Sequence, residues 1–262
     1  MKKVLLVSMG LLCCLTSVQA QTPEFKTKLA NSKDRKLTIE MADSDIKIEG
    51  YNGDEVVIQA SSGYEAPPER AKGLKPLYYT AVDNSGIGLS VTPDANGLKI
   101  EKATRKSIKY TMRIPRQVSV LYQQTNWQGG AGISVNNVDG DLEIRTNNAN
   151  INLNNVTGPV VANSTSGDVK AAFSNVNQGK PTAISSISGV IDVSLPATVK
   201  SNLKLRSING EMYTDFDLGL KNSKDGMSKV GGGSNIEGTT NGGGVEIQLN
   251  TISSDIYIRK QK

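Results

Sequence analysis

Leu142-Glu143-Ile144-Arg145-Thr146-Asn147-Asn148-Ala149-Asn150-Ile151-Asn152-Leu153 is matched, 18 residues on and column for column, by Val160-Val161-Ala162-Asn163-Ser164-Thr165-Ser166-Gly167-Asp168-Val169-Lys170-Ala171. Each copy has alternating apolar residues, a hydroxyl, a small polar corner, and alternation again. Anchored on Ile151, Val169, Ile191, Met212 and Ile256, the pattern recurs five times. Seven positions before the anchors stand Ile144, Ala162, Ile184, Leu205 and Leu249. Five before stand Thr146, Ser164, Ser186, Ser207 and Thr251. Two before stand Ala149, Gly167, Gly189, Gly210 and Ser254.

Apolar residues two apart share one face of a strand. The small residues between two such strands supply a corner, where the sequence assigns Gly167, Gly189 and Gly210 the role of accepting backbone angles other residues resist. The anchors lie 18, 22 and 21 residues apart and then 44, about two coils. A repeat of this length, stacked strand on strand at ~4.8 Å, is a coil of a solenoid. The expected architecture is a single-domain right-handed β-solenoid, all-β, with regular coils of ~18–22 residues from about residue 131. A β-sandwich would share the turn spacing. It has no reason to repeat small residues in register.

Upstream, Leu37 and Ile39, Ile46 and Ile48, Val56 and Ile58, Leu89 and Val91, and Leu98 and Ile100 are alternating pairs without the repeat's register. These predict less regular first coils that shield one end of the stack, within a β-solenoid domain spanning 36–262 after an extended segment over 21–35. Two stretches predict excursion loops: about 63–79, with Pro67, Pro68 and Pro76, and 219–244, rich in Gly, Ser, Asn and Lys.

Residues 1–20 have the composition of a secretory signal peptide: Lys2 and Lys3, the apolar run Val4 to Leu15, and Val18-Gln19-Ala20 as the cleavage site. The apolar run is shorter than the ~20 residues of a membrane span. Cys13 and Cys14 raise a lipoprotein alternative, but Leu12 or Cys13 stands where lipidation wants a small residue. Both cysteines of the chain lie here, so burial and hydrogen bonding alone stabilise the exported part. With 26 Gly, 3 Phe and 1 Trp, its core is thin and aliphatic and its turns many. Removing Lys2 and Lys3 from the 30 basic residues leaves a small excess over the 25 acidic ones, which gives no nucleic-acid signal.

Ile236-Glu237-Gly238-Thr239-Thr240-Asn241-Gly242-Gly243-Gly244-Val245-Glu246-Ile247-Gln248-Leu249, followed by Thr251-Ile252-Ser253-Ser254-Asp255-Ile256-Tyr257-Ile258-Arg259-Lys260, resembles the closing signature of the bacterial putative-adhesin family. Ser185-Ser186-Ile187-Ser188-Gly189-Val190-Ile191-Asp192-Val193-Ser194-Leu195-Pro196, and Ile114-Pro115 before a strand, are similar to its inner motifs. Ser254 departs from the family's usual glycine. The resemblance covers most of 36–260 and implies an exported β-solenoid domain of unknown function.

The chain has no His, and no Cys outside the leader, which removes His-based triads, Cys nucleophiles and the usual zinc sites. Gly231-Gly232-Gly233 and Gly242-Gly243-Gly244 lack the residues of a P-loop, a dinucleotide fingerprint or a calcium roll and read as flexible loop, so no cofactor is expected. Asp139 with Asp141, and Asp215 with Asp217, are the acid pairs an envelope glycosidase would need, weighed against solvated turns. Arg105, Lys106, Lys109, Arg113 and Arg116 crowd one strand. With Ile108, Tyr110, Met112 and Ile114 inward, Lys109 and Arg113 share its outer face, a surface for anionic envelope polymers or a charged edge that blocks aggregation. Trp127 with Tyr122 would stack on a sugar or cap a core. The leading functional reading is an exported, non-catalytic binding or structural module of the cell envelope, adhesin-like, its partner an envelope glycan or protein. The alternatives are a periplasmic protein-binding accessory of an envelope-stress system and a carbohydrate-active enzyme using the Asp pairs.

Overall fold

A computed structural model describes residues 22–29, 35–62, 64–65, 67–74, 77, 81–127, 131–219 and 234–261. The segment expected to be a signal peptide, part of the first excursion and Gly231-Gly232-Gly233 lie outside the described residues. In chain order the strands are β1 Glu24–Lys28, β2 Lys36–Met41, β3 Ile46–Tyr51, β4 Glu55–Ser62, β5 Leu89–Asp94, β6 Gly97–Lys102 and β7 Lys109–Pro115. Next come β8 Ser119–Gln124, β9 Ile133–Asn136, β10 Leu142–Thr146, β11 Ile151–Val156, β12 Val160–Ser164, β13 Val169–Phe173 and β14 Thr182–Ser186. The last are β15 Ile191–Leu195, β16 Ser201–Ser207, β17 Met212–Thr214, β18 Ser234–Thr240, β19 Val245–Thr251 and β20 Ile256–Lys260. The helical content of the described residues is a 3-10 turn at Glu69–Ala71.

Each coil gives one strand to each of two sheets, and the apolar faces meet between them. Sheet A runs β1-β4-β7-β3-β9-β11-β13-β15-β20-β17 and sheet B runs β18-β16-β19-β14-β12-β10-β8-β2-β6-β5. The columns of the repeat are ladders in space. Ile151 pairs with Val169, Val169 with Ile191, and Ile191 with Ile256, all fully buried. Thr146, Ser164, Ser186, Thr251 and Ser207 form the hydroxyl ladder of sheet B. The strands of both ladders are parallel, which a β-sandwich of antiparallel strands does not produce.

The hydroxyl column closes the corners. Gly167, Gly189 and Gly210 each donate their N–H to the hydroxyl three residues earlier, on Ser164, Ser186 and Ser207, at 2.8 Å. The expected reason for these glycines is corrected, for none has a positive φ. They are small because the neighbouring coil passes directly beneath: a Cβ at Gly189 would stand 2.0 Å from the Gly167 carbonyl oxygen. At the opposite corner the left-handed turn is made by Asn137 (φ 57°) and Asn155 (φ 54°), linked side chain to side chain between coils. Asparagine tolerates that conformation where other side chains resist it. Ser254, in place of a corner glycine, donates instead to the Ser188 carbonyl at 2.6 Å, and Thr251 beside it has a buried hydroxyl with no partner among the described residues.

Two expectations about chain order are corrected. The 44-residue interval is not two consecutive coils. The last coil, β19 and β20, inserts between the β14–β15 coil and the β16–β17 coil, so Ile256 pairs with both Ile191 and Met212. At the other end the first coil, β2 and β3, inserts between the β6–β7 coil and the β8–β9 coil. The first and last coils in chain order are thus each held one layer inside the stack.

The interval 219–244 is likewise not all loop. Its β18 lies antiparallel on β16 and caps sheet B, and it turns into β19 through Asn241, Gly242 and Gly243, all at positive φ. Strands β4 and β1 cap the N-terminal edge of sheet A and β5 that of sheet B, all antiparallel. Phe216 and Leu218, both buried, close the C-terminal end of the core.

Lys102 occupies the inward column of β6, next to Leu98 and Ile100, and is paired with Asp43. Burial lowers its pKa to about 8. The unfolded chain holds this proton more tightly than the folded one, so stability attributable to Lys102 rises as pH increases from about 8 towards its unfolded value of ~10.4. Melting temperatures at pH 7.5 and 9.5 should therefore rise in the native chain relative to a Lys102→Met variant, by a few degrees. A constant difference between the two proteins would show that Lys102 keeps an ordinary pKa.

Candidate functional site

The basic residues singled out in the sequence cluster on and around β7. Lys109 and Arg113 face outward and are exposed, while Tyr110, Met112 and Ile114 are buried. Their charges meet local partners: Lys109 lies 3.4 Å from Asp45, and the Arg113 guanidinium stacks 4.7 Å over the ring of Tyr51. Lys106 pairs with Glu65, and Arg116 with Asp139 at 2.9 Å, a contact that raises the arginine's pKa. Arg105 also has a partner within the chain. The charged-edge reading is corrected, because β7 lies inside sheet A between β4 and β3.

Neither acid pair lies on a strand. Asp139 and Asp141 flank a corner, the first held by Arg116 and the second by Lys180 at 2.6 Å. Asp215 and Asp217 follow the end of β17 and accept backbone N–H bonds from Lys260 at 2.8 Å and Gly219 at 3.0 Å. Each carboxylate is thus committed to a structural partner. Trp127 and Tyr122 do not form a platform: Tyr122 is buried in the core, where desolvation pushes its pKa up, and Trp127 is exposed rather than capping the core. Among the described residues no group of His, Cys, Asp and Glu could hold a metal ion. Among them, too, no helix is long and apolar enough to cross a membrane.

A further recess lies on the outer face of sheet B near its C-terminal end. It is a groove of about 570 Å³ whose floor includes Gln248 and Asn250, with Lys204, Arg206 and Glu237 along one wall. Its lining also includes three isoleucines. Ile187, Ile252 and Ile208 occupy the same corner position in three adjacent coils and are exposed by 45%, 41% and 36%. Backbone bonds fix the sequence of the three coils, from Ser253 N–H to the Ile187 carbonyl at 3.0 Å and from Asn209 N–H to the Ile252 carbonyl at 2.9 Å. Lys204 pairs with Glu246 at 2.6 Å, which raises the lysine's pKa, while Arg206 has no ion-pair partner among the described residues.

Sequence reading missed this ladder although its signal was present. Four positions before the anchors the earlier copies have Asn147 and Thr165, and the later ones Ile187, Ile208 and Ile252. The column thus changes from polar to aliphatic at a solvent-facing corner.

The fold and this surface define a class: a two-sheet parallel β-solenoid that displays laddered side chains on rigid outer faces. Residues 131–259 match the family described as Toastrack DUF4097, a domain of unknown function. A putative cell adhesion protein from Clostridium sporogenes is 12% identical, with 92% of this chain and 100% of that one covered at a TM-score of 0.44. A putative adhesin from Bacteroides fragilis is 13% identical, with 93% of this chain and 98% of that one covered at a TM-score of 0.36. No curated protein matches the chain.

Proposed function

We propose that the protein is an exported, non-catalytic binding module of the cell envelope, adhesin-like, that holds its partner in the groove of sheet B. The observation that carries this reading is the contiguous ladder of Ile187, Ile252 and Ile208 left open to solvent on a rigid surface. Soluble surfaces seldom keep large aliphatics together without a partner. The commitment of each acidic pair to a structural bond supports binding over glycoside hydrolysis, which needs a carboxylic acid and a carboxylate free to face one bond. The leader over residues 1–20 supports export. A right-handed coil throughout is the sense expected where parallel strands are joined by crossovers, as about 98% of such connections are.

Full burial of an isoleucine is worth about 1.5–3 kcal/mol, so covering the 45% and 41% still exposed on Ile187 and Ile252 contributes roughly 0.6–1.4 kcal/mol each. An Ile187→Ser, Ile252→Ser double variant should therefore lose at least about tenfold in retention on isolated envelope fractions, since ~1.4 kcal/mol is a factor of ten. Its melting temperature should fall by no more than a few degrees, because both side chains are already partly open to water. Equal retention of the variant and the native chain would remove the groove as the binding surface.

A further inference from the structure

Three of the four sheet edges end in antiparallel strands: β1 and β5 at one end of the stack, and β18 on sheet B at the other. The fourth, the C-terminal edge of sheet A, ends in the short parallel strand β17, and among the described residues no strand continues it. Ile256 N–H donates to the Glu211 carbonyl at 2.9 Å, which sets the parity of the ladder. In a parallel pair the odd positions of β17 then bond to β20, and the N–H and C=O of Met212 and Thr214 point away from the sheet. Edges of this kind are templates for an added strand, and proteins ordinarily cover them.

On the outer face this edge presents Tyr213 between two acids. The Tyr213 ring is 52% exposed and stacks on Tyr257 with centroids 5.2 Å apart and planes within 10°. Glu211 and Asp215 flank it, both exposed, and Asp215 keeps its negative charge while one of its oxygens accepts the Lys260 N–H. Arg259, one strand in, is already held by Asp192 at 3.0 Å. We propose that β17 accepts an extended peptide strand with a cationic side chain on each side of a flat central residue. Backbone bonds to Met212 and Thr214 supply the attachment, Tyr213 the stacking surface, and Glu211 and Asp215 the charge selection. A second copy of β17 is a poor occupant. Antiparallel pairing centred on Tyr213 would set Glu211 against Asp215 of the copy twice, and like charges directly opposite destabilise a strand pair.

The probe is the blocked, fluorescent peptide Thr-Lys-Val-Tyr-Val-Lys-Thr, titrated by anisotropy against the purified full chain. Binding should fall at least about tenfold in a Thr214→Pro variant, which removes an outward N–H that bonds to no described residue, at a position where edge strands tolerate proline. It should also fall with Glu211→Gln, and with a probe N-methylated at alternate residues, whose charges are intact but whose backbone cannot pair. Replacing both lysines of the probe by glutamate should abolish binding. The native melting temperature in Glu211→Gln keeps the result readable should Thr214→Pro prove unstable. No binding of the probe to the native chain would overturn the proposal, as would equal binding of the methylated probe. A concentration-dependent dimer lost in Thr214→Pro would overturn it in favour of self-pairing.

Discussion

A Gly189→Ala variant is expected to lose about 3 kcal/mol of stability, the upper part of the usual range for overpacking. In a chain of this size that corresponds to roughly 6–12 °C in melting temperature. The added Cβ would stand 2.0 Å from the Gly167 carbonyl oxygen, 2.5 Å from its carbon and 2.9 Å from the Asp168 nitrogen. All three are backbone atoms of the adjacent coil, so none can rotate aside. Relief requires the coils to separate, which stretches the bonds between them from Ser188 N–H to the Thr165 carbonyl and from Val190 N–H to Asp168. Gly132 is the internal control, since its Cβ would meet the Asn150 oxygen at an ordinary 3.5 Å and its φ is not positive. Gly132→Ala should be neutral or slightly stabilising, through the unfolded chain. Gly189→Asn separates the two explanations of a corner glycine. Asparagine would be accepted if a left-handed backbone were the requirement, but should fail as alanine does if the neighbouring coil leaves no room. Thermal melts of the three variants decide the matter, and an unchanged Gly189→Ala would refute the close approach.

Ending the chain at Gly244 should abolish cooperative folding of the C-terminal half. The segment removed is the coil of β19 and β20, whose Ile247, Leu249, Ile256 and Ile258 are at most 1% exposed. At about 1.5–3 kcal/mol for each buried side chain, the loss is comparable to the 5–15 kcal/mol that holds a whole domain together. The position of the coil makes it worse. It lies between β14–β15 and β16–β17, so its removal strips the ladder from both neighbours and leaves β16, β17 and β18 with no sheet to join. A solenoid whose coils followed chain order would only fray at its end after the same truncation. Limited proteolysis separates the outcomes: cleavage spreading from about residue 182 to the new terminus agrees with the inserted coil. A protected core and a native-like melting temperature would contradict it.

Much of the fold was legible in the chain because its determinants are local. Alternation at Leu142 and Ile144 or Ile151 and Leu153 can only serve a two-faced strand with one buried side. The recurrence of Thr146, Ser164 and Ser186 before small residues marks the corner, and the structure shows the hydroxyls of Ser164 and Ser186 accepting the N–H three residues on. The candidate surfaces were less legible. The five basic residues stand out by composition, but sequence does not show that Asp45, Tyr51, Glu65 and Asp139, from four other segments, lie against them. The isoleucine ladder was readable as a column, yet its exposure depends on which side of the corner faces water. The open edge at β17 could not be read at all, since it exists only because the following strand, β18, covers the other sheet.

By itself, then, the sequence determined a repeating coil, a thin aliphatic core, a corner that admits only small residues and the absence of histidine, or of any thiol beyond Cys13 and Cys14. Tertiary structure alone decided which coil lies on which, which edges are covered, and why the corner glycines are glycine. The physical reason is the repeat. Because every coil carries the same ladders, Ile256 is as good a neighbour for Ile191 as Met212 is, and local sequence holds no preference between them. That choice is made by how the long connections and the capping strands β4, β5 and β18 fit around the finished stack, a property of the whole chain.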